Sequence, residues 1–144
     1  MAELLRRWSG AQFTATCDAI REAPANPLDQ WRFAVGAHAR YTAENYRECF
    51  LANSELRYLD PINRKRVVES RNAQEELFRQ VVESGIVSGD ISSSQSSTRI
   101  VTAVLGMCGA ITIWYRPDGL MSPDEIGATY AEFATAMLTV GIRH

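Results

Sequence analysis

The chain is 144 residues long, a length typical of one domain and sufficient to bury a sizeable hydrophobic core. Apolar residues make up 46% of it and charged residues 22%, the proportions of an ordinary soluble globular protein. The net charge of -2 argues against a free-standing domain that binds duplex DNA, because such domains neutralise phosphates with a basic face.

The sequence predicts helices throughout, without the alternating apolar and polar residues that strands require. The first helix is predicted from about Glu3 to Glu22. A second helix, from about Pro27 to Tyr41, follows Asn26 as its N-cap, and a third runs from about Thr42 to Tyr58. The apolar sides of these three helices carry Leu4, Trp8, Ala11, Ala15 and Ile20; Leu28, Trp31, Val35 and His38; and Tyr46, Cys49, Phe50 and Asn53.

A fourth helix is predicted to begin at Asp60, a cap residue that precedes a proline. It is long and amphipathic, and we expect it to end near Ser84, with Gly85 as the residue that closes it. A polar stretch from Ser88 to Ser97 is predicted to be a loop. The core face of this helix carries Val67, Ser70, Gln74, Leu77, Phe78 and Val81.

The helix predicted from about Thr98 to Tyr115 is apolar on nearly every side, so it must be covered on more than one side. Ser122 and Glu125 then have the spacing of a capping box, and the last helix continues to about Val140. The elements together predict an all-α helical bundle of about six helices in one domain, residues 1–144.

The two C-terminal helices, about residues 98–115 and 122–140, carry more apolar surface than the other helices of a small chain can cover. A homodimer in which this pair meets its symmetry mate as a four-helix bundle would bury the excess. The alternative is a hydrophobic hairpin enclosed within a monomeric core. We favour the dimer, in which the last two helices of each copy form a dimeric four-helix bundle.

The apolar run from Ile100 to Tyr115 is diluted by threonines and glycines, so we expect no transmembrane helix and no membrane partner. The first residues lack the basic and apolar segments of a secretion signal. Cys17, Cys49 and Cys108 are far apart and odd in number, which indicates reduced, buried thiols. These features predict a cytoplasmic protein.

The sequence gives little support for catalysis or metal binding. Its only histidines are His38 and the terminal His144, and the cysteines have no metal-ligand spacing. We therefore predict that the chain is not an enzyme and holds no metal and no cofactor.

Two stretches of the chain carry recognisable motifs. The first is Asn53-Ser-Glu-Leu-Arg57, followed by Leu59-Asp60-Pro61 and by Arg64 to Glu69. The second comprises Gly106-Met107-Cys108, Trp114-Tyr-Arg-Pro-Asp-Gly119, and Leu120 to Glu125 with Tyr130 and Ala131.

These motifs resemble the C-terminal domain of tetracycline-repressor-like (TetR family) transcriptional regulators. The branch they resemble includes repressors of sterol-ring and fatty acyl-CoA catabolism. The resemblance covers the helix order of essentially the whole chain and is specific over residues 53–69 and 114–130. It implies an all-helical sensor that dimerises through its last two helices. It also implies a pocket for a small hydrophobic or acyl-CoA-type effector, and our candidates for ligand-binding residues are Trp31, His38, Tyr46, Asn53, Met107 and Trp114.

Some of these residues have more than one interpretation. His38 is a hydrogen-bonded core residue, a residue that lines a pocket, or a catalytic base. Trp114 either walls a cavity for a flat ligand or packs in the core. The small residues around Met107 allow close helix contact at a dimer seam, or they leave space for a ligand. The fourth helix carries a basic run, Asn63-Arg64-Lys65-Arg66, and further along it Arg71 and Arg79. These arginines either bind a coenzyme A phosphate or belong to a solvated helix face, and Arg57 is a second candidate for the phosphate contact.

A full member of the family carries a helix-turn-helix before the first helix seen here. We expect that this DNA-binding domain is absent from the chain, which is then either a shortened regulator or a natural paralogue without it. DNA would be contacted only through that missing helix-turn-helix. An alternative function is an interaction protein that forms mixed dimers with a full-length regulator.

Overall fold

A computed structural model describes residues 2–139 of the chain; of residues 2–6, 8, 9 and 139 it describes only the backbone. The predicted core positions Leu4, Trp8 and Val140 and the terminal His144 therefore lie outside the described side chains. Within residues 2–139 the chain forms seven helices and no strand, which confirms the all-α prediction. They are α1 (Ala2–Glu22), α2 (Pro27–Glu44), α3 (Tyr46–Ser54), α4 (Pro61–Ser88), α5 (Ser97–Gly109), α6 (Ile111–Trp114) and α7 (Pro123–Thr139), with a 3-10 turn at Leu56–Tyr58.

Three predicted helix starts are confirmed by their hydrogen bonds. The Asn26 side chain accepts a hydrogen bond from the backbone N–H three residues later at 2.9 Å, and Asp60 does the same before α4 at 2.9 Å. Ser122 accepts from the Glu125 N–H at 3.2 Å, while the Glu125 carboxylate accepts from the Ser122 N–H at 3.2 Å. Each cap satisfies N–H groups that a helix start leaves without partners.

Thr42 does not begin the third helix, which the sequence predicted to start there, because α2 continues through Thr42 to Glu44. Its hydroxyl donates to the His38 carbonyl at 2.8 Å, one turn back within the same helix. The chain turns instead at Asn45, whose side-chain amide donates to the Tyr41 carbonyl at 3.0 Å. The third helix is therefore shorter than predicted, Tyr46–Ser54, and the 3-10 turn follows it.

The sequence predicted that Gly85 closes α4, and this prediction is wrong. The helix runs one turn further, to Ser88, and ends at Gly89, which has a left-handed backbone with φ +84°. Gly85 serves packing instead, because a Cβ there would lie 2.3 Å from the Ile91 side chain, which folds back over the helix. A glycine inside a helix is tolerated where a neighbour fills the space beside it.

The helix predicted over residues 98–115 is interrupted at Ala110 and forms α5 and α6. The Thr112 hydroxyl donates to the Gly109 carbonyl at 2.9 Å. In a continuous helix this carbonyl would accept a backbone N–H, so the hydroxyl competes with the helical hydrogen bond. Glycines at 106 and 109 also make this stretch a weak helix former.

Ser97–Trp114 is long and apolar enough to cross a membrane by length and composition alone, with a mean hydropathy of 1.4. The threonines and glycines in this segment therefore dilute its apolar character less than the sequence analysis expected. Length and composition are weak evidence for a membrane span, because the core helix of a soluble protein gives the same result, and a third of the segment is buried inside the fold. Val101, Val104 and Cys108 on α5 are buried. The segment therefore contributes one side to the core.

Helix α2 lies at the centre of the bundle and contacts α1, α4 and α7. Its Trp31 side chain is fully buried, donates from Nε1 to the Ala134 carbonyl of α7 at 3.2 Å, and meets the Phe78 ring of α4 edge-on at 6.0 Å. Helices α2 and α7 approach so closely that a Cβ on Gly127 would lie 2.7 Å from the Gly36 carbonyl oxygen. The glycine at 127 is therefore required for this contact.

Replacing Gly127 by alanine is expected to lower the free energy of unfolding by roughly 2 kcal/mol, because the added methyl meets backbone and pushes α2 and α7 apart. Urea denaturation checks the value. Gly10→Ala is the matched control, since Gly10 is also helical and a Cβ there has no neighbour within 4 Å. It should gain up to about 1 kcal/mol from helix propensity. Equal stability of Gly127→Ala and the unchanged protein would contradict the close contact.

Candidate functional site

A cavity of about 320 Å³ lies among α1, α2, α3, α4 and α5. This volume is at the small end of the range for pockets that hold small molecules. Ten of the fourteen lining residues are polar, but more of the lining surface is apolar, so the cavity suits a ligand with both polar groups and an apolar part. The lining residues are Gln12, His38, Thr42, Cys49, Asn53, Ser70, Arg71, Gln74, Glu75, Thr102, Leu105, Gly106, Gly109 and Thr112.

The inner end of the cavity is a network of buried polar side chains. Gln12 and Thr16 lie one turn apart on α1, and His38 and Thr42 lie one turn apart on α2, so each pair shares a face of its helix. Gln74 of α4 joins the two pairs. Its amide nitrogen donates to the Thr16 hydroxyl at 2.8 Å and lies 3.1 Å from His38 Nδ1. The Gln12 amide lies 3.5 Å from the Thr42 hydroxyl, which closes the network.

His38 is a neutral imidazole in this network. Burial lowers its pKa from 6.5 to about 4, because the charged ring would lose its hydration. Since the Gln74 amide donates to Nδ1, the ring proton lies on Nε2. The ring also meets Phe78 edge-on at 5.5 Å. His38 is therefore both a hydrogen-bonded core residue and part of the cavity lining, two of the interpretations that the sequence allowed.

The outer end of the cavity carries charge. Arg71 of α4 donates to the Asn53 side-chain carbonyl of α3, and Glu75 lies one turn further along α4. Burial lowers the pKa of Arg71, while the Glu75 carboxylate raises it. A second, more open groove shares Asn53 and is lined by Arg57 and Arg64. The mouth of the cavity is thus next to several guanidinium groups.

Of the six predicted ligand-binding residues, the structure brings His38 and Asn53 to the cavity. Trp31 lies in the core beside Phe78 and Ala134, away from the cavity lining. Tyr46 packs against the Tyr115 ring at 5.3 Å, and Met107 is half-buried on α5. Neither of them lines the cavity. Ligand contacts by these residues remain a prediction.

Trp114 neither walls the cavity nor packs in the core, the two positions that the sequence suggested. Because α6 is a single turn that starts anew after Ala110, the ring lies at the surface and is 44% exposed. It faces the Tyr130 ring of α7 at 6.4 Å, and Tyr130 in turn lies 6.1 Å from Phe133. With Ile113 and Met137, also exposed, these residues form what we call the α6–α7 apolar surface: Ile113, Trp114, Tyr130, Phe133 and Met137.

Sequence reasoning missed Gln12 and Thr16 at the site, whereas it offered Arg71 as a possible contact for a coenzyme A phosphate. A signal was present for Gln74, which lies on the core face of the fourth helix between Val67 and Phe78. A polar residue on such a face needs a partner, so it marks a network or a pocket. The partners lie on α1 and α2, more than thirty positions away, and no local pattern identifies them.

Comparisons with known proteins place this geometry in a family. The family model described as tetracyclin repressor-like, C-terminal domain, matches residues 24–138. The TetR family transcriptional regulator PfmR from Thermus thermophilus is 28% identical, with a TM-score of 0.78 over 95% of this chain and 76% of that chain. A search of curated protein sequences gave no match.

Two further solved structures share the fold at lower identity. The ketosteroid transcriptional regulator KstR2 of Mycobacterium tuberculosis has a TM-score of 0.83 at 20% identity, over 94% of this chain and 69% of that chain. AibR, solved in complex with isovaleryl coenzyme A and operator DNA, has a TM-score of 0.72 at 16% identity, over 95% of this chain and 74% of that chain. The family match over most of the chain confirms the resemblance found in the sequence: the chain belongs to the tetracyclin repressor-like C-terminal domain family.

Proposed function

We propose that the chain is the ligand-sensing and homodimerisation domain of a TetR-like transcriptional regulator, with a small effector bound in the cavity among α1, α2, α3, α4 and α5. The observation that carries the proposal is the cavity itself: about 320 Å³, with polar side chains among its lining, inside a domain of this family. The domain acts in the cytoplasm. DNA is contacted by a helix-turn-helix separate from this domain.

An effector in the cavity would bridge α4 and α5 to α2. Because α2 contacts α7 backbone to backbone at Gly36 and Gly127, a shift of α2 must also move α7. Ligand binding would then favour one arrangement of α7 over another, and its effect equals the difference in its affinity for the two arrangements.

The effector implied by the family resemblance is hydrophobic or of acyl-CoA type. AibR, which shares the fold, was solved with isovaleryl coenzyme A, and this supports an acyl thioester as one candidate. A whole coenzyme A thioester is larger than the cavity, so only its acyl end would be enclosed. Its phosphates would lie outside the mouth, where Arg57, Arg64 and Arg71 offer charge-assisted hydrogen bonds.

Dimerisation is proposed through the α6–α7 apolar surface. Phe133 is 53% exposed, Met137 45% and Ile113 69%, and the rings of Trp114, Tyr130 and Phe133 lie in series. Contiguous exposed apolar surface of this kind marks an interaction site in soluble proteins. A second copy of the same surface is the partner that the predicted four-helix bundle requires.

Replacing Leu105 by tryptophan should abolish effector binding, because the larger side chain fills the cavity from α5. The measurement is a thermal-shift screen over acyl-CoA thioesters, sterol fragments and free fatty acids. A ligand at about 100 times its dissociation constant stabilises the unchanged protein by about 2.7 kcal/mol. Leu105→Trp should show no shift relative to its own ligand-free melting temperature.

Val87→Trp is the control, since Val87 is 90% exposed at the end of α4 and does not line the cavity. It should keep the full ligand shift. An equal shift in Leu105→Trp and the control would place the ligand elsewhere and contradict the proposed site.

A further inference from the structure

One buried polar atom beside the cavity has no partner in the protein. The Gln74 side chain is only 6% exposed and lines the cavity, yet its carbonyl oxygen Oε1 accepts no hydrogen bond. Among the residues that the structure describes, no other buried side-chain nitrogen or oxygen lacks a partner. Such a group is destabilising, and in a native protein it calls for an explanation.

The surrounding hydrogen bonds fix which end of the Gln74 amide is the oxygen. The Thr16 hydroxyl donates its single hydrogen to the Gln12 carbonyl at 3.0 Å, so it can only accept from Gln74. The amide nitrogen must therefore face Thr16, and its second hydrogen is directed to His38 Nδ1. A flipped amide would set its oxygen against the Thr16 hydroxyl, which could pair with it only by giving up its hydrogen bond to the Gln12 carbonyl, and against His38 Nδ1, which would then have to carry the ring proton.

Because the unpaired oxygen of Gln74 is a hydrogen-bond acceptor, it favours a ligand that brings a hydrogen-bond donor. A carboxylate, a ketone or a thioester carbonyl brings only acceptors and cannot satisfy Oε1. An ammonium group would lose its hydration beside a neutral imidazole, hydroxyls and amides, without a counter-charge from these inner groups. A hydroxyl donates one hydrogen and carries no charge. The terminal torsion of a glutamine is soft, so the oxygen can adjust to a donor in the cavity.

We propose that the end of the effector inserted beside α1, α2 and α4 carries a hydroxyl group, which donates a hydrogen bond to Gln74 Oε1. This inference rests on the proposed function, because it takes the cavity as the effector site. It adds a selection rule: an alcohol is bound in preference to the ketone or the carboxylate of the same skeleton.

The test uses the intact chain with three probes of one ring size: cyclohexanol, cyclohexanone and cyclohexanecarboxylate. Titrations followed by the NMR signals of the Gln74 side-chain amide give both affinity and location. We expect cyclohexanol to bind roughly tenfold more tightly than cyclohexanone, since the ketone leaves Oε1 unpaired. The carboxylate should bind more weakly still. The amide signals of Gln80, an exposed glutamine on α4, should not move.

Gln74→Met removes the acceptor and should bring the ratio of alcohol to ketone affinity close to one, whereas Gln80→Met should keep it near tenfold. If Gln74→Met does not fold, the shift of the Gln74 amide signals in the unchanged protein still decides. Equal affinities for alcohol and ketone, or no binding of any probe near Gln74, would overturn the inference. The proposed function would survive either result if the wider effector screen still gave a shift that Leu105→Trp removes.

Discussion

Replacing Phe133 by glutamate is expected to turn the proposed dimer into a monomer. Phe133 is half-exposed in the single chain and belongs to the α6–α7 apolar surface, where its ring lies 6.1 Å from that of Tyr130 and one helical turn before Met137. In a two-fold interface both copies lose the aromatic contact and both bury a carboxylate, which costs several kcal/mol in total. We expect the dissociation constant of the dimer to rise roughly a thousandfold.

Sedimentation equilibrium over a range of concentrations measures this change. Val87→Glu is the matched control: it places the same charge at an exposed apolar residue of α4, outside the α6–α7 apolar surface, and should stay dimeric. Circular dichroism should show the same helix content for all three proteins. A monomeric unchanged protein, or a dimeric Phe133→Glu variant, would refute dimerisation through this surface.

Acid should destabilise the protein through His38 well before its carboxylates are protonated. Burial lowers the pKa of His38 from 6.5 to about 4, so the unfolded chain binds a proton at a pH where the folded chain does not. The contribution of the neutral imidazole is fully present above pH 6.5 and is lost as the pH falls from 6.5 toward 4. Between about pH 7.5 and about pH 5 the free energy of unfolding should fall by roughly 2 kcal/mol.

Urea denaturation at several pH values gives the slope. His38→Gln is the control, because its side-chain carbonyl can still accept from the Gln74 amide but does not titrate. The other histidine, His144, is present in both proteins, so its contribution cancels. A pH dependence in this interval that is the same for both proteins would mean that His38 titrates normally and is not held neutral by burial.

The sequence determined the helical class of this protein and the places where helices begin. Asn26, Asp60 and Ser122 cap their helices as predicted, because a cap is made by residues within three or four positions of one another. The same locality explains why family membership is readable in short motifs. Helix ends were predicted less well: Gly85 and Gly89 both suit a helix end, and packing of Ile91 against Gly85 decided between them.

The site could be predicted only in part. His38 and Asn53 lie on the apolar sides of helices that line the cavity, and helical periodicity alone picks them out. Trp31 fits the same periodicity as His38, yet it faces α7 rather than the cavity, since both sides of α2 are buried. Periodicity cannot separate two buried sides of one helix.

Only the tertiary structure decided what the inside of the cavity offers. The polar network joins Gln12 and Thr16 to His38 and Gln74, residues far apart in the chain that three packed helices bring within hydrogen-bond distance. The break at Ala110 likewise turned Trp114 to the surface, where it joins Tyr130 of α7. Caps and helices form from local interactions, whereas partners across a core depend on how whole helices pack, which no short stretch of sequence encodes.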